Sequence, residues 1–86
     1  MIIKINTPVT VNLLFNHKTR TVNPTALLWE GKKYLITKIG LHHTYRNGRT
    51  LLHVFSVETP TLFFRLVLDT DSLHWRVEEI SDGEPN

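Results

Sequence analysis

Apolar side chains recur at every second position in several stretches of this chain. Residues 9–16 and residues 73–78 place apolar side chains at the odd positions, whereas residues 61–68 (TLFFRLVL) are almost continuously apolar. Alternation is typical of a strand with one buried face, and a continuous run is typical of a central strand covered on both faces. No eleven-residue window shows the spacing of an amphipathic helix. The pattern therefore predicts an all-β protein.

Turn sequences separate the predicted strands. They are residues 30–32 (EGK), 46–49 (RNGR), 58–61 (ETPT) and 69–72 (DTDS), all rich in residues that favour tight turns. We expect a small antiparallel meander of about six or seven strands in a single domain at residues 1–80. An acidic flexible tail is expected at residues 81–86. A sheet this small must cover its core, and we predict that it curls into a barrel or bends strongly.

The Asn-Gly pair at residues 47–48 predicts the register of one hairpin. Both central positions of a two-residue type I′ turn need positive φ, and Asn-Gly is the preferred pair for them. This register places Arg46 opposite Arg49 and His42 opposite His53, all on one face of the hairpin. The opposite face is predicted to be the core face, and it consists of Ile39, Leu41, His43, Tyr45, Thr50, Leu52 and Val54.

The face with the two histidines permits three interpretations. A bound phosphate or carboxylate would relieve the repulsion between opposed arginines, with His42 and His53 as further donors below their usual pKa of about 6.5. A solvated hairpin tip also explains Arg46 and Arg49, and it is the more common situation. Two opposed histidines can bind Zn²⁺, but a site needs a third or fourth ligand. A metal-free pair is therefore expected.

The composition argues against several classes of protein. The chain has no cysteine, so neither a disulfide nor a thiolate metal site can form. It has no phosphate-binding loop, nucleophile elbow or dinucleotide fingerprint, and Asp69 and Asp71 lie in an ordinary turn sequence. We predict a non-enzymatic protein without a cofactor. No signal-like segment and no run of about 20 apolar residues is present, which predicts a cytoplasmic protein with no membrane partner.

Basic and acidic residues are separated along the chain. Residues 1–57 contain eight Lys or Arg and one acid, whereas residues 58–86 contain two Lys or Arg and seven acids. A domain with one basic surface attracts anionic partners such as nucleic acids. The candidate nucleic-acid-binding or anion-binding residues are Lys18, Arg20, Lys32, Lys33, Lys38, His42, Arg46, Arg49 and His53.

Aromatic side chains offer a second kind of contact with nucleic acids. Bases stack on exposed rings in many single-strand-binding barrels. Most rings in so short a chain must lie in the core, but Trp29 and Tyr34 flank a turn next to Lys32 and Lys33. We expect these two rings to be the stacking residues.

Three segments together resemble a known family. They are residues 29–36 (WEGKKYLI) with residues 39–42 (IGLH), residues 53–57 (HVFSV), and residues 64–69 (FRLVLD) with residues 75–82 (WRVEEISD). Across residues 24–82 their order is similar to an uncharacterised small all-β domain family of bacteria, sometimes associated with error-prone DNA polymerase proteins. The compact Asn-Gly hairpin departs from it, because a longer insertion is expected there. The resemblance implies an accessory domain in DNA transactions and transfers no catalytic residue.

Two hypotheses follow from these observations. The first is a non-enzymatic nucleic-acid-binding or DNA-transaction accessory module with a basic hairpin surface. The second is a protein-interaction or self-assembling module that binds an acidic partner or another copy and adds its edge strand at residues 9–15 to a second sheet. Charge separated in sequence need not be separated in space, because neighbouring strands can place Arg49 beside Glu58 or Glu78.

Overall fold

Two antiparallel sheets make up a computed structural model that describes residues 1–83. The strands are β1 Ile2–Pro8, β2 Thr10–Asn16, β3 Thr21–Trp29, β4 Lys32–Leu35, β5 Lys38–Asn47, β6 Thr50–Glu58, β7 Phe63–Asp69 and β8 Trp75–Ser81. The first sheet has the order β1-β8-β7-β6-β5, and the second has the order β2-β3-β4. The all-β prediction is confirmed. Residues 1–83 contain no helix of the length and apolarity that crossing a membrane requires.

The connectivity differs from the predicted barrel. No strand pairing joins the two sheets, so the strands within residues 1–83 do not close into a barrel. Strand β1, which pairs with β8, was not predicted from the sequence. Its apolar residues do not alternate regularly, and its register shifts between Lys4 and Thr7. Irregular alternation leaves a strand without its main sequence signal.

The main core lies between the two sheets. It is formed by Leu27, Tyr34, Phe55, Val57, Phe64, Leu66, Val77 and Ile80. The central position of β7 in its sheet confirms the prediction made from its continuous apolar run. Leu66 faces the main core, whereas Val67 packs with Leu52 and Val54 in a small cluster on the other face. A strand that is buried on both faces needs apolar residues at consecutive positions.

The predicted core face of the β5–β6 hairpin is correct only in part, because Leu52 and Val54 are buried on it while the main core lies on the opposite face. Phe55 and Val57 share a face with His42 and lie in the main core, whereas Leu41 on the opposite face is exposed. The register shifts between Ile39 and Leu41, and Ile39 packs against the main core. A shift of this kind changes the face on which all earlier residues of a strand project.

The turn of the β5–β6 hairpin lies one residue later than predicted. Asn47 pairs with Thr50, so Gly48 and Arg49 form the two-residue loop, and Gly48 has a φ of 63°. Positive φ at the first loop position alone is typical of a type II′ turn rather than type I′. Arg46 and Arg49 are therefore not opposite each other, because Arg49 belongs to the loop.

The later turn shifts the cross-strand pairs of residues 41–47 by two residues. His42 lies opposite Phe55 rather than opposite His53. Because side chains alternate with a period of two, a two-residue shift leaves each residue on its predicted face. His42 and His53 therefore still share one face of the hairpin, as diagonal neighbours.

The two sheets separate toward the β2–β3 turn. Val9 and Val11 pack against the main core, as the alternation predicts, but Leu13 and Phe15 on the same face are 44% and 63% exposed. The predicted strand is therefore confirmed, while only its first half is buried. A gap therefore remains beside Leu13.

The ends of the described chain lie side by side. Ser81 is the last residue of β8 and pairs with Ile2 of β1, and the amino group of Met1 lies 2.8 Å from Asp82 Oδ1. The predicted flexible tail at residues 81–86 falls partly on residues 84–86, which lie outside the described residues.

Candidate functional site

A cleft of about 460 Å³ opens between the two sheets, where the β2–β3 hairpin faces the inner side of the five-stranded sheet. The hairpin contributes Leu13, Arg20, Thr21, Val22 and Asn23, and the five-stranded sheet contributes His42, His53, Phe55, Leu68 and Trp75. Six strands and one turn thus supply its walls. We call this opening the ring cleft.

Four rings lie in a row along one wall of the ring cleft. His42 stacks on Phe55 with ring centroids 4.1 Å apart and an interplanar angle of 12°. His53 lies 5.0 Å from His42 and 6.4 Å from Phe55, and Trp75 lies 5.7 Å from Phe55. Phe55 is buried and supports the row, whereas His42 is exposed and His53 and Trp75 are half-buried. The wall therefore offers ring surface to a ligand.

The two histidines are joined by a hydrogen bond. His42 Nε2 lies 2.8 Å from His53 Nδ1, so one nitrogen donates and the other accepts. Burial of one ring face is the main cause that lowers the pKa of His42 below its usual value, and the charges of His53 and His43 lower it further. The lowered pKa favours a neutral His42 at pH 7, which argues against the predicted cationic role of this histidine.

Arg20 approaches the ring cleft from the opposite wall. Asn16 closes the β2–β3 turn, because its Oδ1 accepts hydrogen bonds from the backbone N–H groups of Lys18 and Thr19. Arg20 then adopts a φ of 56°, a conformation that is unfavourable for residues other than glycine. Backbone strain at a residue that lines a cleft is a feature of ligand-binding turns.

Arg46 and Arg49 extend the basic surface along the β5–β6 hairpin. Arg46 shares the face of His42, four residues or about 13 Å closer to the hairpin tip, and Arg49 is part of the tip itself. An acidic group lies close to this tip, because Thr50 Oγ1 donates a hydrogen bond of 2.7 Å to Asp71 Oδ2. The basic tip is therefore bordered by an acidic turn.

The predicted basic residues do not form one patch. Lys32 and Lys33 lie on β4 next to the β3–β4 turn, and β3 places them about 25 Å from Arg20 at the other end of the strand. Lys38 lies opposite Glu58 in the β5–β6 ladder. Arg20 lines the ring cleft, and Lys18, Arg46 and Arg49 lie at or near the tips of the two hairpins that border it; we call these four residues the tip cations.

The predicted stacking residues lie away from the ring cleft. Tyr34 is only 9% exposed, and its ring packs edge-on against Phe64 at 5.0 Å. Trp29 is half-buried and contacts both of these rings. Because a base needs an exposed ring face on which to stack, the buried ring of Tyr34 is unsuited to that role. Its position next to the lysines reflects core packing, with Lys32 Nζ lying 5.3 Å from its ring centre.

Leu68 and Trp75 line the ring cleft but were not among the site residues predicted from the sequence. Trp75 begins β8 and is separated from Arg20 by 55 positions, so no local spacing could indicate that they line the same cleft. Its inward direction followed from the alternation in residues 73–78, but its exposure depends on where the sheets separate.

The acidic residues of the β7–β8 turn perform a structural role. Asp69 Oδ1 accepts hydrogen bonds from the backbone N–H groups of Ser72 and Asp71, and these bonds hold the pKa of the Asp69 carboxyl below its usual value. This is ordinary turn chemistry for aspartate. Residues 1–83 hold no group of three or more His, Asp or Glu side chains placed to bind a metal ion.

Comparisons with known proteins add no relatives to this description. The chain matches no protein-family model, no curated protein and no solved structure. The functional argument therefore rests on the ring cleft and the tip cations.

Proposed function

We propose that this domain is a non-enzymatic nucleic-acid-binding module that uses the ring cleft and the tip cations. The observation that carries the proposal is the convergence of Arg20 with His42, His53 and Trp75 on one cleft. Arginine binds phosphate oxygens, and exposed rings stack on bases, so these two wall chemistries match the two parts of a nucleotide.

The arrangement of the tip cations supports contacts with several phosphates. Lys18 and Arg20 belong to one hairpin tip, and Arg46 and Arg49 belong to the other. Phosphate contacts give affinity that decreases with salt and depends weakly on sequence. The resemblance of residues 24–82 to domains associated with error-prone DNA polymerases is in line with an accessory role in DNA transactions.

A matched pair of charge-reversal variants tests this proposal. Arg20→Asp with Arg46→Asp changes the ring cleft and one tip, whereas Lys32→Asp with Lys33→Asp makes the same change in net charge at the other end of β3. Fluorescence anisotropy at several salt concentrations would measure affinity for labelled single- and double-stranded DNA and RNA. We expect the first variant to lose at least about tenfold in affinity and to show a shallower salt dependence, while the second binds like the native chain.

Two other outcomes would count against the proposal. Equal losses in both variants would show that net charge alone attracts the nucleic acid. Absence of binding by the native chain at low salt would remove the nucleic-acid hypothesis. Polyglutamate is a useful competitor, because displacement of DNA by it at equal charge concentration would favour an acidic protein partner.

A second candidate function is self-association through β2. This strand is an edge of the three-stranded sheet and pairs only with β3 among the described strands. Its sequence TVNLLFN contains no charge, whereas the opposite edge strand β4 carries Lys32 and Lys33. Natural edge strands are usually protected by charged residues or proline, and β2 has neither. A second copy that pairs along β2 would extend the sheet.

Two leucines of nearly equal exposure test this candidate. Leu14 on β2 is 58% exposed, and Leu35 on β4 is 59% exposed. We expect Leu14→Lys to convert a dimer into a monomer in light-scattering measurements of mass, whereas Leu35→Lys leaves the dimer intact. A native chain that stays monomeric at high concentration would exclude self-association through β2.

A further inference from the structure

The His42–His53 hydrogen bond determines what the pair can offer to a ligand. A neutral imidazole has one donor and one acceptor nitrogen. Whichever nitrogen holds the shared proton, the bond between His42 Nε2 and His53 Nδ1 uses one donor and one acceptor. The two remaining nitrogens are therefore one donor and one acceptor in either tautomeric arrangement. The neutral pair thus keeps one free donor and one free acceptor, on His42 Nδ1 and His53 Nε2.

The ring cleft has the shape and surface expected for a planar group. Its volume of about 460 Å³ lies within the range of small-molecule sites. One wall is the row of rings, and the facing wall includes Leu13 and Val22, which are 44% and 45% exposed. A flat group that stacks on Trp75 can direct its polar edge toward the histidines.

We propose that the ring cleft binds one unpaired base of a single nucleic-acid strand. The base stacks on Trp75, a free nitrogen of the His42–His53 pair hydrogen-bonds to its edge, and Arg20 binds a phosphate next to it. An aromatic side chain of a peptide has the faces but neither the donor–acceptor edge nor the phosphate, so a nucleotide fits all three features. This inference rests on the proposed nucleic-acid function.

Preference for single strands follows from this mode of binding. A base within a duplex must be unpaired and unstacked before it can enter the cleft, and that costs a few kcal/mol. The tip cations, in contrast, contact phosphates whether or not a base is present. The two contributions can therefore be separated by a strand that keeps its phosphates and lacks its bases.

The experiment compares three probes of equal length: a single-stranded oligonucleotide, a duplex, and a strand of abasic sites. We expect the native chain to bind the single strand at least about fivefold more tightly than the abasic strand. In His53→Leu this ratio should fall toward one while affinity for the abasic strand is unchanged. His74→Leu, which changes an exposed histidine outside the cleft, should keep the native ratio.

A fluorescent base provides a measurement that needs no variant. A single strand with 2-aminopurine at its centre should lose fluorescence when the base stacks in the ring cleft. Equal affinity for the base-bearing and abasic strands, tighter binding of the duplex, or an unchanged 2-aminopurine signal in the bound state would each overturn this inference and leave the proposed function standing. Absence of binding to all three probes would overturn the proposed function itself.

Discussion

His42 Nε2 and His53 Nδ1 lie 2.8 Å apart across neighbouring strands, with His42 stacked on the buried ring of Phe55. The cross-strand partner of His42 is Phe55 and not His53, so the histidines meet along a diagonal of the ladder. Diagonal pairs come into contact when the side chains are long or aromatic. This contact places the neutral histidine pair in the wall of the ring cleft.

The lowered pKa of His42 makes stability depend on pH. In the unfolded chain a histidine gains its proton below about pH 6.5, whereas folded His42 gains it only at a lower pH. Between the two pKa values the unfolded state binds more protons, so the free energy of unfolding decreases as the pH falls through this window. The charged group across the cleft is Arg20, and the neighbouring wall residues Leu68 and Trp75 carry no charge.

Substitution of His42 tests this pH dependence. His42→Phe keeps a ring on Phe55 and removes the titrating group. When the pH is lowered from about 7.5 to about 5, the free energy of unfolding of this variant, measured by urea titration, should decrease less than that of the native chain. His17→Phe, in the exposed β2–β3 turn, should lose as much as the native chain. Identical losses in the native chain and His42→Phe would contradict the assigned cause.

The two possible registers of the β5–β6 turn differ in which residue needs positive φ. Gly48 has a φ of 63°, so Gly48→Ala should reduce the free energy of unfolding by about 1–2 kcal/mol. Asn47 pairs with Thr50 as a strand residue, so Asn47→Ala should cost less than about 0.5 kcal/mol. Denaturant unfolding of both variants measures the difference. A large loss in Asn47→Ala would instead support a turn centred on residues 47–48.

The central strand β7 is the most sensitive part of the core. Leu66 is fully buried at 0% exposure, so Leu66→Ala should cost about 2–5 kcal/mol through lost apolar contacts and a residual cavity. Leu35→Ala removes the same atoms at a position that is 59% exposed and should cost less than about 0.5 kcal/mol. Thermal and urea unfolding would compare the two. Similar costs would contradict the position of β7 in the core.

Substitution of Arg20 should affect the stability of the fold and the binding of DNA in different ways. Its φ of 56° is unfavourable for arginine, so Arg20→Gly should leave the free energy of unfolding unchanged or raise it by up to about 1 kcal/mol. The same variant should weaken binding of single-stranded DNA, because a phosphate contact is lost from the ring cleft. Loss of both stability and binding would indicate that Arg20 has a structural role instead.

Local patterns in the sequence determined the secondary structure of this protein. The continuous apolar run at residues 61–68 marked the central strand β7, because a strand covered on both faces needs apolar residues at consecutive positions. All four predicted turns connect strands in the structure. The shared face of His42 and His53 was also predicted correctly, since it depends only on a period of two and survived the two-residue change of register.

Tertiary structure alone decided which face of the β5–β6 hairpin is buried and which side chains meet in the ring cleft. The register shift at Gly40 brought Ile39 to the face of Phe55, and although a glycine within a strand can mark a bulge, it does not show which face the second sheet covers. Arg20 and Trp75 line the same cleft because the two sheets diverge beyond Val11 and leave an opening beside Leu13. That separation depends on the packing of one whole sheet against the other. The alternation of apolar residues and the preferences of turn residues act between near neighbours in the chain, so they could not predict where the sheets separate.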